Sequence, residues 1–152
     1  MSIDIDIDVD MADAMRRLNG IQARSLDFTA VLRWAGSELE KANARNFAAN
    51  GLPSGGAWDP LDPGYARWKS SNFPGRSTLV RTGNLFRSLT SMKGAPNYIA
   101  RTTAEFGTAV EYAKFHQYGT RKMPKRQIVF EPPLFAKRLA EKSADYMANG
   151  NF

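Results

Sequence analysis

Residues 1–10 alternate without a break. Ile3, Ile5, Ile7 and Val9 fall on one side, and Asp4, Asp6, Asp8 and Asp10 on the other. Period two with β-branched side chains predicts a strand with one apolar face. Repulsion among the aspartates discourages uncontrolled edge pairing. Residues 11–24 predict a short helix interrupted near Asn19-Gly20. A stronger helix is expected over 27–49, where Phe28, Val31, Leu32, Ala35, Leu39 and Ala42 form an apolar stripe at helical spacing. Ser25 or Asp27 is placed to cap its start, and Asn50-Gly51 followed by Pro53 stops it.

The pattern then changes. Residues 50–81 are rich in Gly, Pro and Ser, yet they carry Trp58, Leu61, Tyr65, Trp68 and Phe73, a load no plain flexible linker has. Within this stretch Asp62-Pro63 reads as a cap followed by proline at the first helical position, so a short helix through Lys69 is expected. Thr82-Gly83 opens a short helix or strand. Residues 97–103 and 104–112 read as two antiparallel strands. A helical turn over 112–118, a last strand over 127–131 and a final helix from Glu131-Pro132-Pro133 to about Met147 complete the chain. That helix should turn Phe135, Leu139 and Tyr146 inward. The predicted class is α+β: a small antiparallel sheet flanked by a long N-terminal helix and a C-terminal helix, with a long aromatic-bearing loop.

At 152 residues the chain suits one domain, read as residues 11–152 behind an acidic N-terminal strand or arm, residues 1–10. No apolar run approaches the ~20 residues that span a bilayer, so no membrane partner is expected. The acidic N-terminus is the opposite of a signal peptide. With no cysteine in the chain, disulfide and thiol chemistry are excluded, and folding in a reducing cytoplasm fits. Charge is divided unevenly. Residues 1–40 carry eight acids and four bases, and residues 41–152 seven acids and seventeen bases. A basic body suits an acidic partner, whether nucleic acid or an acidic protein face, and the division permits head-to-tail contact between copies.

Catalytic chemistry finds little support. His116 is the only histidine, and no G-x-S-x-G accompanies it. One histidine and no cysteine make a poor zinc set. The D-x-D-x-D run fails as an EF-hand, since the sixth and twelfth positions counted from Asp4 are Val9 and Met15. Neither G-x-x-x-x-G-K-[ST] nor G-x-G-x-x-G occurs. No catalytic, metal-binding or cofactor-binding residue is therefore expected, and no small-molecule substrate. The surface chemistry is richer. Arg121, Lys122, Lys125 and Arg126 surround Pro124 after a Gly119-Thr120 turn. A loop stiffened this way presents cations to phosphate or to carboxylates of a neighbouring subunit. Trp58, Tyr65, Trp68, Tyr118, Ile3, Ile5 and Ile7 are candidate subunit-interface residues, because aromatic anchors dominate interface energy.

Three spaced blocks carry a resemblance. The first is Trp58, Pro60, Leu61, Tyr65 and Lys69. The second, "LVRTGNLFRSL", contains Leu79, Thr82-Gly83, Leu85 and Ser88. The third, "YAKFHQYGTRKMPKRQIVF", contains Tyr112-Ala113, His116-Gln117, Gly119, Met123-Pro124 and Arg126. In this order, over residues 58–130, they resemble the phage virion morphogenesis family, which includes tail-completion proteins and minor virion proteins of Mu-like phages. Relatives often follow the arginine with Pro and Phe, whereas Gln127-Ile128-Val129 stands here. The resemblance implies a non-enzymatic structural subunit at the neck or tail end of the virion, assembled in the host cytoplasm. It also implies a homo-oligomeric ring that meets other neck or tail proteins and surrounds DNA. His116 and Gln117 would hold the base of the docking loop, Gly119 would turn it and Pro124 stiffen it, while Arg126 and its neighbours meet acidic groups or DNA. The alternative is a nucleic-acid-binding module that contacts DNA phosphates through residues 121–126.

Overall fold

The computed structural model describes residues 11–91 and 96–150. The arm with Ile3, Ile5 and Ile7, expected as a strand, lies outside the described residues. Six helices and one small sheet follow in chain order: α1 Met11–Ser25, α2 Thr29–Ala48, α3 Pro63–Asn72, α4 Asn84–Thr90, β1 Tyr98–Ile99, β2 Ala104–Glu105, α5 Ala113–Tyr118 and α6 Phe135–Asn149. The class is α+β, with helices at both ends of the described chain.

α2 is the axis. Its apolar stripe buries Val31, Ala35, Ala42 and Phe47. The Asp27 carboxylate accepts the Thr29 backbone N–H at 2.9 Å, which secures the entry to the helix, whereas the Ser25 hydroxyl turns back to Gln22 O at 2.7 Å. The first half of α2 receives α6. Trp34 stacks on Phe135 at 6.4 Å, Phe28 meets Tyr146 at 6.0 Å, and Glu38 pairs with Arg138 at 2.9 Å. The last turn of α2 carries the main core, where Phe47, Trp58, Leu85, Leu89, Ala113 and Ile128 close together. Burying such side chains is worth roughly 1.5–3 kcal/mol each.

Four expectations change on contact with the fold. α1 runs unbroken through Gly20, a position that costs a helix ~1 kcal/mol relative to alanine. The bare glycine leaves room for Arg24, since a Cβ there would lie 3.1 Å from its guanidinium. Arg24 crosses to Met147 O at 2.7 Å and Ala148 O at 3.0 Å, satisfying end carbonyls of α6. The sheet pairs only Tyr98 with Glu105 and Ile99 with Ala104, shorter than the two strands expected over 97–112. Residues 127–131 form no strand, because side chains take their backbone groups (described below). α6 begins at Phe135, not at Pro132, because each residue preceding a proline is pushed out of the helical region.

The core assignment sets a first test. Phe47→Ala should lower the unfolding free energy by ~3–5 kcal/mol in a denaturant titration. Leu18→Ala, on the exposed side of α1, should stay within about 0.5 kcal/mol.

Candidate functional site

The site is built on the last turn of α2. Asn50 and Gly51 both take positive φ, 48° and 92°, and reverse the chain. Trp58 then folds back over Gly51, where any Cβ would lie 2.3 Å from the indole. Only glycine allows that approach. The indole meets Phe47 edge-on at 5.4 Å and donates from Nε1 to Gln127 O at 3.0 Å. Trp58 is 8% exposed, so it anchors this chain's own core and is withdrawn from the exposed interface set.

Arg126 is also inside, at 4% exposure. Its Nε donates to Asp59 O at 3.0 Å and its Nη2 to Pro60 O at 2.9 Å. Its backbone N–H donates to His116 O at 2.7 Å. The guanidinium therefore ties the aromatic loop to α5, because the two carbonyls use the planar fork that arginine supplies.

Gln117 performs the matching task from α5. Its Oε1 accepts the N–H groups of Ile128 and Val129, both at 2.9 Å, and its Nε2 donates to Val129 O at 2.9 Å. Gln127 O in turn accepts from Asn46 Nδ2 at 3.0 Å and Ser54 Oγ at 3.2 Å as well as from Trp58. These bonds replace the ladder that a strand over 127–131 would have needed.

Between these fixed points Gly119, at φ 75°, turns the chain. A Cβ there would lie 2.9 Å from Lys125 N and 3.1 Å from Met123 O. Thr120 and Met123 bridge, N–H to O at 2.8 Å in one direction and 3.2 Å in the other. This bridge sets Arg121 and Lys122 at an exposed tip, followed by exposed Pro124 and Lys125. Arg121, Lys122 and Lys125 make no ion pair among the described residues.

Asp62 caps α3 as expected, accepting from Gly64 N at 2.9 Å and Tyr65 N at 3.0 Å. α3 displays Tyr65 stacked on Trp68 at 5.6 Å, and Trp68 against Phe73 at 5.8 Å. Tyr65 and Trp68 stay 40% and 45% exposed. Lys69 turns inward and donates to Ser77 O; burial pushes its ammonium below the ordinary lysine range.

A cleft of ≈ 580 Å³ opens between these segments. From the first stretch come Pro60, Leu61, Tyr65 and Lys69, and from the second Leu79, Arg81, Gly83 and Leu85. Tyr112, Phe115, His116, Met123 and Arg126 close it from the third, with Lys122 at its side. The three blocks, far apart in the chain, thus share one wall-to-wall surface. Tyr118, 78% exposed, sits apart from it, lining a separate shallow hollow with Val110, Phe115 and Val129. Arg81 is the residue that pattern reading missed; it stood unremarked inside the second block.

His116 is half-buried, with its ring edge-on to Tyr112 at 6.1 Å. Burial, and after it the Arg126 charge, hold its pKa below the ordinary histidine value, which favours the neutral ring. Its Nδ1 is buried without a hydrogen-bond partner among the described residues, so no carboxylate orients it as a catalytic triad demands. No group of three or more potential metal ligands occurs among the described residues, and no described helix is long and apolar enough to cross a membrane.

The model of the phage virion morphogenesis family matches residues 9–141. The chain belongs to that family. It is also 29% identical, over 105 residues that cover 68% of each chain, to Mu-like prophage FluMu G protein 1 of Haemophilus influenzae. No solved structure matches. Membership in the virion morphogenesis family gives the chain a structural part in the phage virion, and the matched span contains all three blocks of the cleft.

Two measurements check the site. Arg126→Ala should destabilise the fold by ~2–4 kcal/mol, because two carbonyls lose a charged donor, and should speed amide exchange in residues 57–61. Lys122→Ala should change neither. The histidine sets a pH dependence. Its folded pKa lies below the unfolded value of 6.5, so its contribution is complete above that value and is lost as pH falls below it. Stability should therefore drop between pH 7 and pH 5 in the parent chain, and His116→Gln should flatten that window.

Proposed function

We propose that the chain is a non-enzymatic subunit of a tailed-phage particle, acting at the neck or tail end, where it completes the tail or joins it to the head as one copy of a ring. The observation that carries this reading is the convergence of the three family blocks on one cleft, beside exposed aromatic rings and cations instead of an oriented acid–base pair. Such a surface suits contact: rigid rings supply area at low entropic cost, and exposed cations set register. A ring also needs two unlike, complementary faces on each copy, and the acidic N-terminal stretch and basic body provide them. The place of action is the virion neck or tail, with assembly in the host cytoplasm and other neck or tail proteins as neighbours.

The nucleic-acid reading keeps one favourable observation, the exposed tip of Arg121, Lys122 and Lys125. Arg126 does not contribute, since its guanidinium is committed to Asp59 and Pro60. In a ring, the tip would line the DNA channel, and both readings would hold together.

Silencing the gene in a producing host tests the main reading. Heads and tails should accumulate unjoined, or tails should stay unfinished, and supplying the chain should restore infectivity. Joined, infectious particles made without the chain would end it. For the DNA reading, three phosphate contacts predict a log–log salt slope of about −2.7 on duplex DNA. Binding that survives Arg121→Glu, Lys122→Glu and Lys125→Glu together would remove it.

A further inference from the structure

From the charge and shape of the cleft we infer that its occupant is residues 1–10 of a second copy of this chain, laid in as an extended segment. The inference rests on the reading of the chain as an assembling subunit and names the contact that assembly uses.

Charge is the first argument. The cleft is lined by Lys69, Arg81, Lys122 and Arg126 against one acid, Asp62, whose Oδ1 accepts two N–H groups at the start of α3; Lys69 and Arg126 are buried and bonded to carbonyls, which leaves Arg81 and Lys122 for a partner. Arg81 and Lys122 are exposed and have no ion pair among the described residues. Residues 1–10 hold four aspartates and no Lys or Arg. Carboxylates that reach exposed cations at the rim of a low-dielectric groove fix register and exclude wrong partners.

The second argument is alternation. An extended segment turns Ile3, Ile5, Ile7 and Val9 to one side and its aspartates to the other. Leu79, Tyr112, Phe115 and Met123 give the cleft an apolar floor for the first set, and Arg81 and Lys122 stand where the second can reach. A segment of ten residues reaches up to ~33 Å when extended.

Position is the third. The arm leads into α1, which Arg24 fastens to α6. α6 packs on Phe28, just before α2, and on Trp34 and Glu38 in its first half. The cleft is anchored at Asn46 and Phe47, ~18 Å further along the helix from Trp34. The segment thus departs from α1 near the first half of α2, and the basic groove lies at the other end of that helix. Repetition of such a contact is heterologous, the type that forms a ring where the rotation between copies closes.

The absence of cysteine from the chain makes the test direct. Ile5→Cys combined with Met123→Cys is introduced into the full chain, which is oxidised both as concentrated purified protein and inside purified particles. Docking between copies predicts a non-reducing ladder at multiples of 16.9 kDa in both samples. Either single cysteine should stop at the dimer. A charge swap tests the same contact without new cysteines. Chains with Asp4→Lys, Asp6→Lys and Asp8→Lys should not associate alone, nor should chains with Arg81→Glu and Lys122→Glu. Mixed, the two should associate again in sedimentation velocity. A crosslink confined within one chain, or no crosslink in particles that contain the chain, overturns the inference and leaves the virion role standing. A ladder from purified chain, with particles that are complete yet contain no copy of the chain, upholds the docking and overturns the virion role.

Discussion

Everything at this site depends on how residues 126–129 are held. No strand pairs with them among the described residues. Gln117 clasps the backbone of Ile128 and Val129, while Asn46, Ser54 and Trp58 converge on Gln127 O. Arg126 bonds outward to Asp59 and Pro60. Ile128, wholly buried, is pinned under them. Since each buried polar group left without its partner costs ~1–3 kcal/mol, these bonds stand or fall together. They join the end of α2, the aromatic loop, α5 and the basic turn into one unit, although no sheet connects them.

That construction explains how so little regular structure holds exposed rings and cations in place. Tyr65 and Trp68 stand on a capped helix, and Arg121 and Lys122 on a bridged turn closed at Gly119. Side chains held on a stiff frame lose less freedom when a partner arrives, so more of the contact energy remains as affinity. Burial holds the His116 pKa below the ordinary value, no carboxylate orients the ring among the described residues, and Arg126 is spent on carbonyls. We propose that the cleft is a seat for another chain.

Much of this was legible in the sequence, and what was not has a common cause. Periodicity found α2, whose stripe repeats over many turns, and local chemistry found the Asp62-Pro63 start of α3 and the helical turn at α5. Gly119 was legible because only glycine tolerates its conformation. The failures involve partners distant in the chain. Val129 and its neighbours look like a strand because β-branched residues favour extended backbone, but the hydrogen-bond partners are side chains: Gln117 on α5 and, 81 positions before Gln127, Asn46. Trp58 and Arg126 have the composition of surface anchors, and nothing local reveals that they point at each other's loops. Arg81 gave no signal beyond its place within a family block. The blocks marked three segments, and only the fold shows that residues from all three surround one cleft.

Imaging the assembled particle at side-chain resolution tests the central claim most directly, namely that this cleft is a seat for a neighbouring chain in the virion. The account predicts several symmetry-related copies of this chain, each with its cleft filled by protein density from the adjacent copy. Copies whose clefts all stand open to solvent, or a complete particle with no copy of the chain, would contradict it.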